Sequence, residues 1–157
     1  MDYQQILKRI KNTGKISSKD DIYFEHIYDI LNDLFDYSHQ AYMRGTKRFN
    51  NWKILWFPKL KYKHYGEERP GTKNWLNYLN IDKTIFYEDA RNGNTTPDYK
   101  YWNNRNLERA VFAGVRENRL LYKFFGIFQF CKINGSLRIY ERISDEMDLN
   151  EWILDKR

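Results

Sequence analysis

The residues best equipped for chemistry lie in one run, RGTKRFNNWKILWFPKLKYKHYGEERPGTKNW, residues 44–75. Arg44, Lys47, Arg48, Lys53, Lys59, Lys61, Lys63, Arg69 and Lys73 are interleaved there with Phe49, Trp52, Trp56, Phe57, Tyr62, Tyr65 and Trp75. Cations neutralise phosphates and flat aromatic faces stack on unpaired bases, so the combination suits single-stranded, flipped or otherwise exposed nucleotides of DNA or RNA. In Lys59-Leu60-Lys61-Tyr62-Lys63, a strand would place the three lysines on one side and Leu60 and Tyr62 on the other. The nine cations are therefore the expected phosphate contacts, with Trp56, Tyr62 and Trp102 as stacking groups. The plainer origin of the same pattern is an edge strand guarded by lysines, its Trp residues buried in the core. Asn74 to Tyr78 (NWLNY) and the loop from Tyr99 to Arg105 add amides, which read base edges by paired hydrogen bonds, and an aromatic floor for an extruded base.

Catalytic sets are weaker. Asp98-Tyr99-Lys100 is a D-x-K fragment that Asp82, Glu88 or Asp89 could complete as a metal-dependent nuclease. The strand context such a site needs is missing around Asp98. His64 beside Glu67 and Glu68 lacks a second histidine for a metal, since His26 and His39 lie on or near an acidic helix. Cys131 has no adjacent His and reads as a packed thiol. Neither a P-loop nor a dinucleotide fingerprint is present. The expectation is a non-catalytic module with no metal and no cofactor.

The distribution of charge sharpens this. Of the net +6, residues 44–76 carry +7, residues 1–43 carry −2 and residues 77–157 carry +1. Basic charge gathered in one place focuses a field on a polyanion. A length of 157 residues with 18% aromatic side chains predicts a single folded domain. One cysteine excludes an internal disulfide and points to a reducing compartment. No run approaches the roughly 20 apolar residues of a membrane span, so a cytoplasmic protein without a membrane partner is expected.

The elements that must position these groups read as α+β: N-terminal helices over 1–43, then a mainly β part over 44–157. Ile6, Leu7 and Ile10 predict a helix over 3–12 that stops at Gly14. A second helix is expected over 19–36, capped by Ser18 with Asp21, its stripe Phe24, Ile27, Ile30, Leu31 and Leu34, its outer face acidic. Strands are expected at 52–57, ended by Pro58, and at 75–79 and 84–87 around a turn at 80–83, with a polar loop over 90–106. Asn134-Gly135 predicts a hairpin over 120–143 in which Lys132 faces Leu137, Phe130 faces Ile139 and Phe128 faces Glu141. That register gathers Phe128, Phe130, Leu137 and Ile139 on one face. Residues 107–116 add a third strand, and a short helix from about Asp145 buries Leu149, Trp152 and Ile153. The whole is a small curved antiparallel sheet or partly closed barrel with helices at its ends.

The run from Tyr122 to Phe128, the segment from Ile139 to Asp145, and Trp56-Phe57-Pro58-Lys59-Leu60 with Trp75 and Asn77 after it resemble the closing strands of small PUA-like β-barrel modules. Such modules occur in bacterial and phage defence and anti-defence proteins, sometimes beside HNH-type nucleases. The resemblance implies a pseudo-barrel that binds nucleic acid, sensing a modified or flipped base, without being a nuclease itself. No HNH motif is present, and residues 1–43 lie outside the pattern. The leading expectation is thus a non-catalytic nucleic-acid-binding module. Its alternative is a phage-type, anti-CRISPR-like inhibitor that binds a nuclease or ribonucleoprotein complex through the acidic helix or the basic run.

Overall fold

The computed structural model describes residues 2–60, 75–90, 99–116 and 118–152. Helix α1 (Tyr3–Thr13) starts where sequence chemistry says it should. The Asp2 carboxylate accepts from the Gln5 backbone N–H, the Gln5 side chain accepts from that of Asp2, and Gly14 ends the helix at φ 75°. Strand β1 (Lys15–Ser17) follows. Helix α2 covers only Ile27–Phe35, not 19–36. The backbone N–H of Ser18 goes instead to the Asp145 carbonyl, and Phe24 exchanges both backbone hydrogen bonds with Tyr122, each 2.8 Å. These distant partners keep residues 18–24 out of a helix: the chain turns at 18–20, where the Asp20 N–H donates to the Ser17 carbonyl at 3.0 Å, and then runs to the bridge at Phe24. The cap is accordingly His26, whose backbone N–H donates to the Asp29 carboxylate at 3.1 Å.

The remaining strands are β2 (Thr46–Arg48), β3 (Lys53–Trp56), β4 (Trp75–Leu79), β5 (Ile85–Ala90), β6 (Glu108–Arg116), β7 (Leu120–Asn134), β8 (Leu137–Ser144) and β9 (Glu146–Asp148), with a short helix α3 (Tyr99–Trp102) before β6. Seven of them form one sheet in the order β2-β3-β6-β7-β8-β5-β4, antiparallel except for the β3–β6 pair. Pro58 does end β3, but the chain continues beside β6 and then leaves it. Lys59 bridges Gly114 and Leu60 bridges Asn77 on the far edge strand β4, which draws the two ends of the sheet together. The α+β class with a curved, partly closed sheet stands as expected.

Two expectations are corrected. The 120–143 hairpin turns at Gly135-Ser136, with Asn134 facing Leu137, and a bulge at Cys131 then moves the register so that Phe130 faces Tyr140 and Phe128 faces Arg142. A shift of one residue exchanges the faces of a strand. Arg138 and Tyr140 are therefore the buried residues of β8, while Leu137 and Ile139 are only partly covered. The chain end is also not a helix from Asp145. Strand β9 pairs with β1, placing Met147 opposite Ile16 with both fully buried, and only a 3-10 turn at Leu149–Glu151 precedes the buried Trp152. Ile153 lies outside the described residues.

The sheet separates two apolar layers. On one side α1 and α2 cover Leu55, Phe57, Phe112, Phe124 and Ile127. On the other, Trp56, Phe86, Trp102, Phe128, Phe130 and Tyr140 fill the inside of the curve. Among the described residues no helix is long and apolar enough to cross a membrane.

Candidate nucleic-acid interface

A groove of about 540 Å³ opens where the two ends of the sheet approach each other. One wall is the start of α2, with His26 and Tyr28; the other is the stretch from Ala41 to Thr46 together with Pro58 and Lys59; Trp56, Asn77 and Glu88 lie along it. Strand alternation explains why polar groups arrive there. Asn77 on β4 and Glu88 on β5 are cross-strand partners on the concave face, and both are buried, 6% and 7% exposed.

Asn77 donates through Nδ2 to the Lys59 carbonyl at 3.3 Å, while its Oδ1 is buried with no hydrogen-bond partner. Glu88 is held firmly. Its Oε1 accepts from the Tyr140 hydroxyl at 2.7 Å, that hydroxyl accepts from the Trp102 indole N–H at 2.7 Å, and Arg138 Nη1 lies 3.9 Å away. Deeper still is Arg109, 0% exposed, its guanidinium 4.9 Å from the Trp102 ring and 4.8 Å from the Tyr140 ring. Arg109 Nη1 donates to the Leu107 carbonyl at 3.0 Å, and its Nε and Nη2 are buried without partners.

Burial dominates the electrostatics of this cluster. It raises the Glu88 pKa above its ordinary value, against the opposing pull of the Tyr140 hydroxyl, Arg138, the Trp102 indole and Arg109. It pushes Arg109 down to about 10 and raises Tyr140 well above the usual phenol value. The groove thus combines an aromatic wall, an acceptor in need of a donor, and a carboxyl fixed in orientation. A planar ring with polar edge groups matches that set.

The candidate site residues distribute unevenly. Arg44 and Lys59 line the groove, Arg44 exposed. Other cations turn to their own chain: Lys47 sits over the Tyr37 and Tyr42 rings at 5.3 and 5.8 Å, and the Arg48 guanidinium stacks 3.7 Å from the Tyr101 ring. Lys53 pairs with Glu108 at 3.3 Å and lies over Trp152. Trp56 and Trp102 are 5% and 6% exposed and pack edge-on against each other, 5.1 Å apart, so Trp102 acts through its indole N–H. Lys61, Tyr62, Lys63, Arg69 and Lys73 lie outside the described residues, as do His64, Glu67, Glu68 and Asp98. Asp89 points away from Glu88 and accepts from Ser136 at 2.6 Å, and the Cys131 thiol lies 3.6 Å from Glu141. Among the described residues no group of three or more His, Cys, Asp or Glu side chains could hold a metal ion.

Sequence reasoning noticed Asn77 and named Glu88 only as a nuclease carboxylate; it missed Arg109, Arg138 and Tyr140. The signal available was position: each charged residue falls on the inward parity of a strand whose neighbours are apolar.

Residues 9–149 match the family model described as SRA: SET and RING associated domain. Among solved structures, the 5-hydroxymethylcytosine-specific restriction enzyme AbaSI shares the fold with a TM-score of 0.71 and 25% identity, over 94% of this chain and 47% of that chain. The present chain thus spans about half the length of that enzyme. No curated protein matches it in sequence.

Proposed function

The chain belongs to the SRA domain family, PUA-like modules that bind DNA and recognise modified cytosine, and from that premise we propose that its groove receives one modified cytosine drawn out of a duplex. Arg44, Lys59 and the basic residues Lys61, Lys63, Arg69 and Lys73 grip the backbone, with Tyr62 as a stacking group. Asn77 and Glu88 read the polar edge of the base. The observation that carries this reading is the Asn77 Oδ1. A buried acceptor without a donor costs about 1–3 kcal/mol, and here it belongs to a residue that lines a groove of ligand size. The exocyclic amino group of a cytosine, or a hydroxyl on its 5-substituent, is the donor it lacks. Trp56 closes the apolar side.

The named substrate of the structural relative makes 5-hydroxymethylcytosine the first base to try. Competition binding with otherwise identical duplexes carrying one cytosine, 5-methylcytosine or 5-hydroxymethylcytosine tests the proposal. The hydrogen bond that a 5-hydroxyl adds should favour the hydroxymethylated duplex by about 5- to 150-fold over the other two, whose bases lack that donor. Equal affinity for all three would exclude recognition of the modification. The inhibitor alternative draws on the acidic face of α2 and the nuclease alternative on Asp98; no feature of the groove adds to either.

A further inference from the structure

An indole N–H can only donate, so a hydroxyl that accepts from it must send its own proton elsewhere. Trp102 donates to the Tyr140 hydroxyl and Tyr140 to Glu88 Oε1, each at 2.7 Å, and the direction of the whole chain follows from its first member. We propose that Trp102 and Tyr140 are positioning residues that hold Glu88 with Oε1 occupied and its carboxyl ionised, so that Oε2 meets the base as an acceptor. The inference rests on the reading above that Glu88 faces the base. It adds which edge Glu88 accepts: the exocyclic amino group of a cytosine, and not the carbonyl that uracil carries in its place.

Three elements supply the relay. Trp102 comes from α3, which is pinned to the turn between β2 and β3: the Tyr101 hydroxyl donates to the Asn50 carbonyl at 3.0 Å, and the Arg48 guanidinium covers the Tyr101 ring at 3.7 Å. Tyr140 comes from β8, opposite Phe86 of β5, and Glu88 follows two residues along β5, opposite Arg138. Phe86, Phe128 and Phe130 fill the same layer without a polar atom, so packing alone does not call for a hydroxyl at position 140. A buried carboxylate does call for donors. Tyr140 is the one at hydrogen-bonding distance, with Arg138 Nη1 standing off at 3.9 Å.

The charges around the relay act in the same sense. Arg109 is fully buried over both relay rings, at 4.9 and 4.8 Å, and places a cation behind them. Arg138 on β8 faces Glu88, β4 brings only the neutral Asn77, and the groove adds Glu25, His26, Arg44 and Lys59. Burial keeps the proton on Tyr140, so the hydroxyl stays a donor. Burial also raises the Glu88 pKa, while the bonds from Tyr140 and Trp102 and the two guanidiniums pull it down.

NMR titration of the glutamate side-chain carboxyls tests the relay without DNA, with Glu88→Gln assigning the Glu88 signal. Tyr140→Phe should raise the Glu88 midpoint by about one pH unit and Trp102→Phe by about half a unit, whereas Phe130→Leu, a truncation in the same layer, should lower stability and leave the midpoint in place. Trp102→Phe keeps an aromatic ring and decides alone where Tyr140→Phe does not fold. Binding is then read by fluorescence anisotropy across the same pH range on duplexes with one 5-hydroxymethylcytosine opposite guanine or one 5-hydroxymethyluracil opposite adenine. The different cost of opening the two pairs cancels when variants are compared. Wild type should favour the cytosine, the preference should fall as the pH drops through the Glu88 midpoint, and each relay variant should move that fall to higher pH by as much as it moves the midpoint. A midpoint unchanged in either folded relay variant, or moved equally by Phe130→Leu, overturns the relay. Midpoints that move while the pH profile of discrimination stays fixed overturn its part in recognition. A wild type that separates neither modified from plain cytosine nor cytosine from uracil overturns the base reading itself, on which the midpoints do not depend.

Discussion

Replacing Asn77 with Ala separates a residue kept for binding from one kept for folding. In the folded chain the asparagine contributes one hydrogen bond at 3.3 Å, long for an amide donor, to the Lys59 carbonyl. Such a bond is worth about 0.5 kcal/mol, and the small void left by truncation adds about 1 kcal/mol of loss. Against this, removal of the unpartnered Oδ1 relieves a desolvation penalty of about 1–3 kcal/mol. The two sides largely offset each other, so stability should change by no more than about 1.5 kcal/mol and the melting temperature by no more than about 6 °C. Binding has no such cancellation. A duplex with a modified cytosine loses one hydrogen bond of about 1–1.5 kcal/mol, whereas nonspecific binding loses nothing. The ratio of specific to nonspecific affinity should therefore fall about five- to tenfold, read by competition anisotropy on the same preparation whose melt is recorded. A melting temperature lowered by more than about 8 °C would make Asn77 a structural residue. An unchanged ratio would remove it from the binding site. Asn77→Asp is the sharper companion: it places a second carboxyl directly across from Glu88 and should lower both stability and binding.

Truncating Arg44 and Lys59 together to Ala should weaken binding to every duplex and reduce the slope of log affinity against log salt by about 2, whereas Lys53→Met, already paired with Glu108, should leave the slope alone. Because burial raises the Glu88 pKa above 4.5, the folded chain holds that proton more tightly than the unfolded one, and stability falls as pH rises from 4.5 through the raised value. Glu88→Gln keeps an acceptor for Tyr140, so denaturant titrations across pH should show that slope flattened and stability at neutral pH no lower than wild type. Gly126 sits at φ 128°, and an added Cβ would meet the Ser144 carbonyl at 2.6 Å and Arg142 Cδ at 2.5 Å. Gly126→Ala should therefore cost about 3 kcal/mol or more, a fall of at least about 6 °C in melting temperature.

The fold was legible wherever its cause is local. The first helix, the Gly14 stop, the turn between β4 and β5 and the hairpin at Asn134-Gly135 are decided within a few residues, and they stand within a residue or two of the expected places. The failures share a different cause. Residues 18–24 have a helical pattern, yet Tyr122 and Asp145 supply their backbone partners from more than 90 residues away. Residues 145–152 read as a helix because β1, which converts part of them into a strand, lies at the other end of the chain. In the hairpin the turn moved by one residue and Cys131 became a bulge; no alternation in the sequence distinguishes a bulged residue from a paired one.

The same division runs through the candidate site. A cluster of cations is visible in a sequence, but which cations remain for DNA depends on what else reaches them. Glu108, Trp152, Tyr101 and the Tyr37–Tyr42 pair engage Lys53, Arg48 and Lys47 from elsewhere in the fold, and the groove retains Arg44 and Lys59. The buried polar groups were hidden for the opposite reason. Asn77, Glu88, Arg109 and Arg138 are polar residues on strands that local rules would fill with apolar side chains, and sheet pairing sets three of them side by side, Asn77 opposite Glu88 and Glu88 opposite Arg138. A buried pair such as Glu88 and Arg138 adds little to stability relative to a well-packed apolar core. Such a concentration on the concave face is better accounted for by a polar ligand than by folding, and that makes inward-facing charge, rather than the density of lysine, the feature to weigh first in reading a strand-rich sequence of this kind.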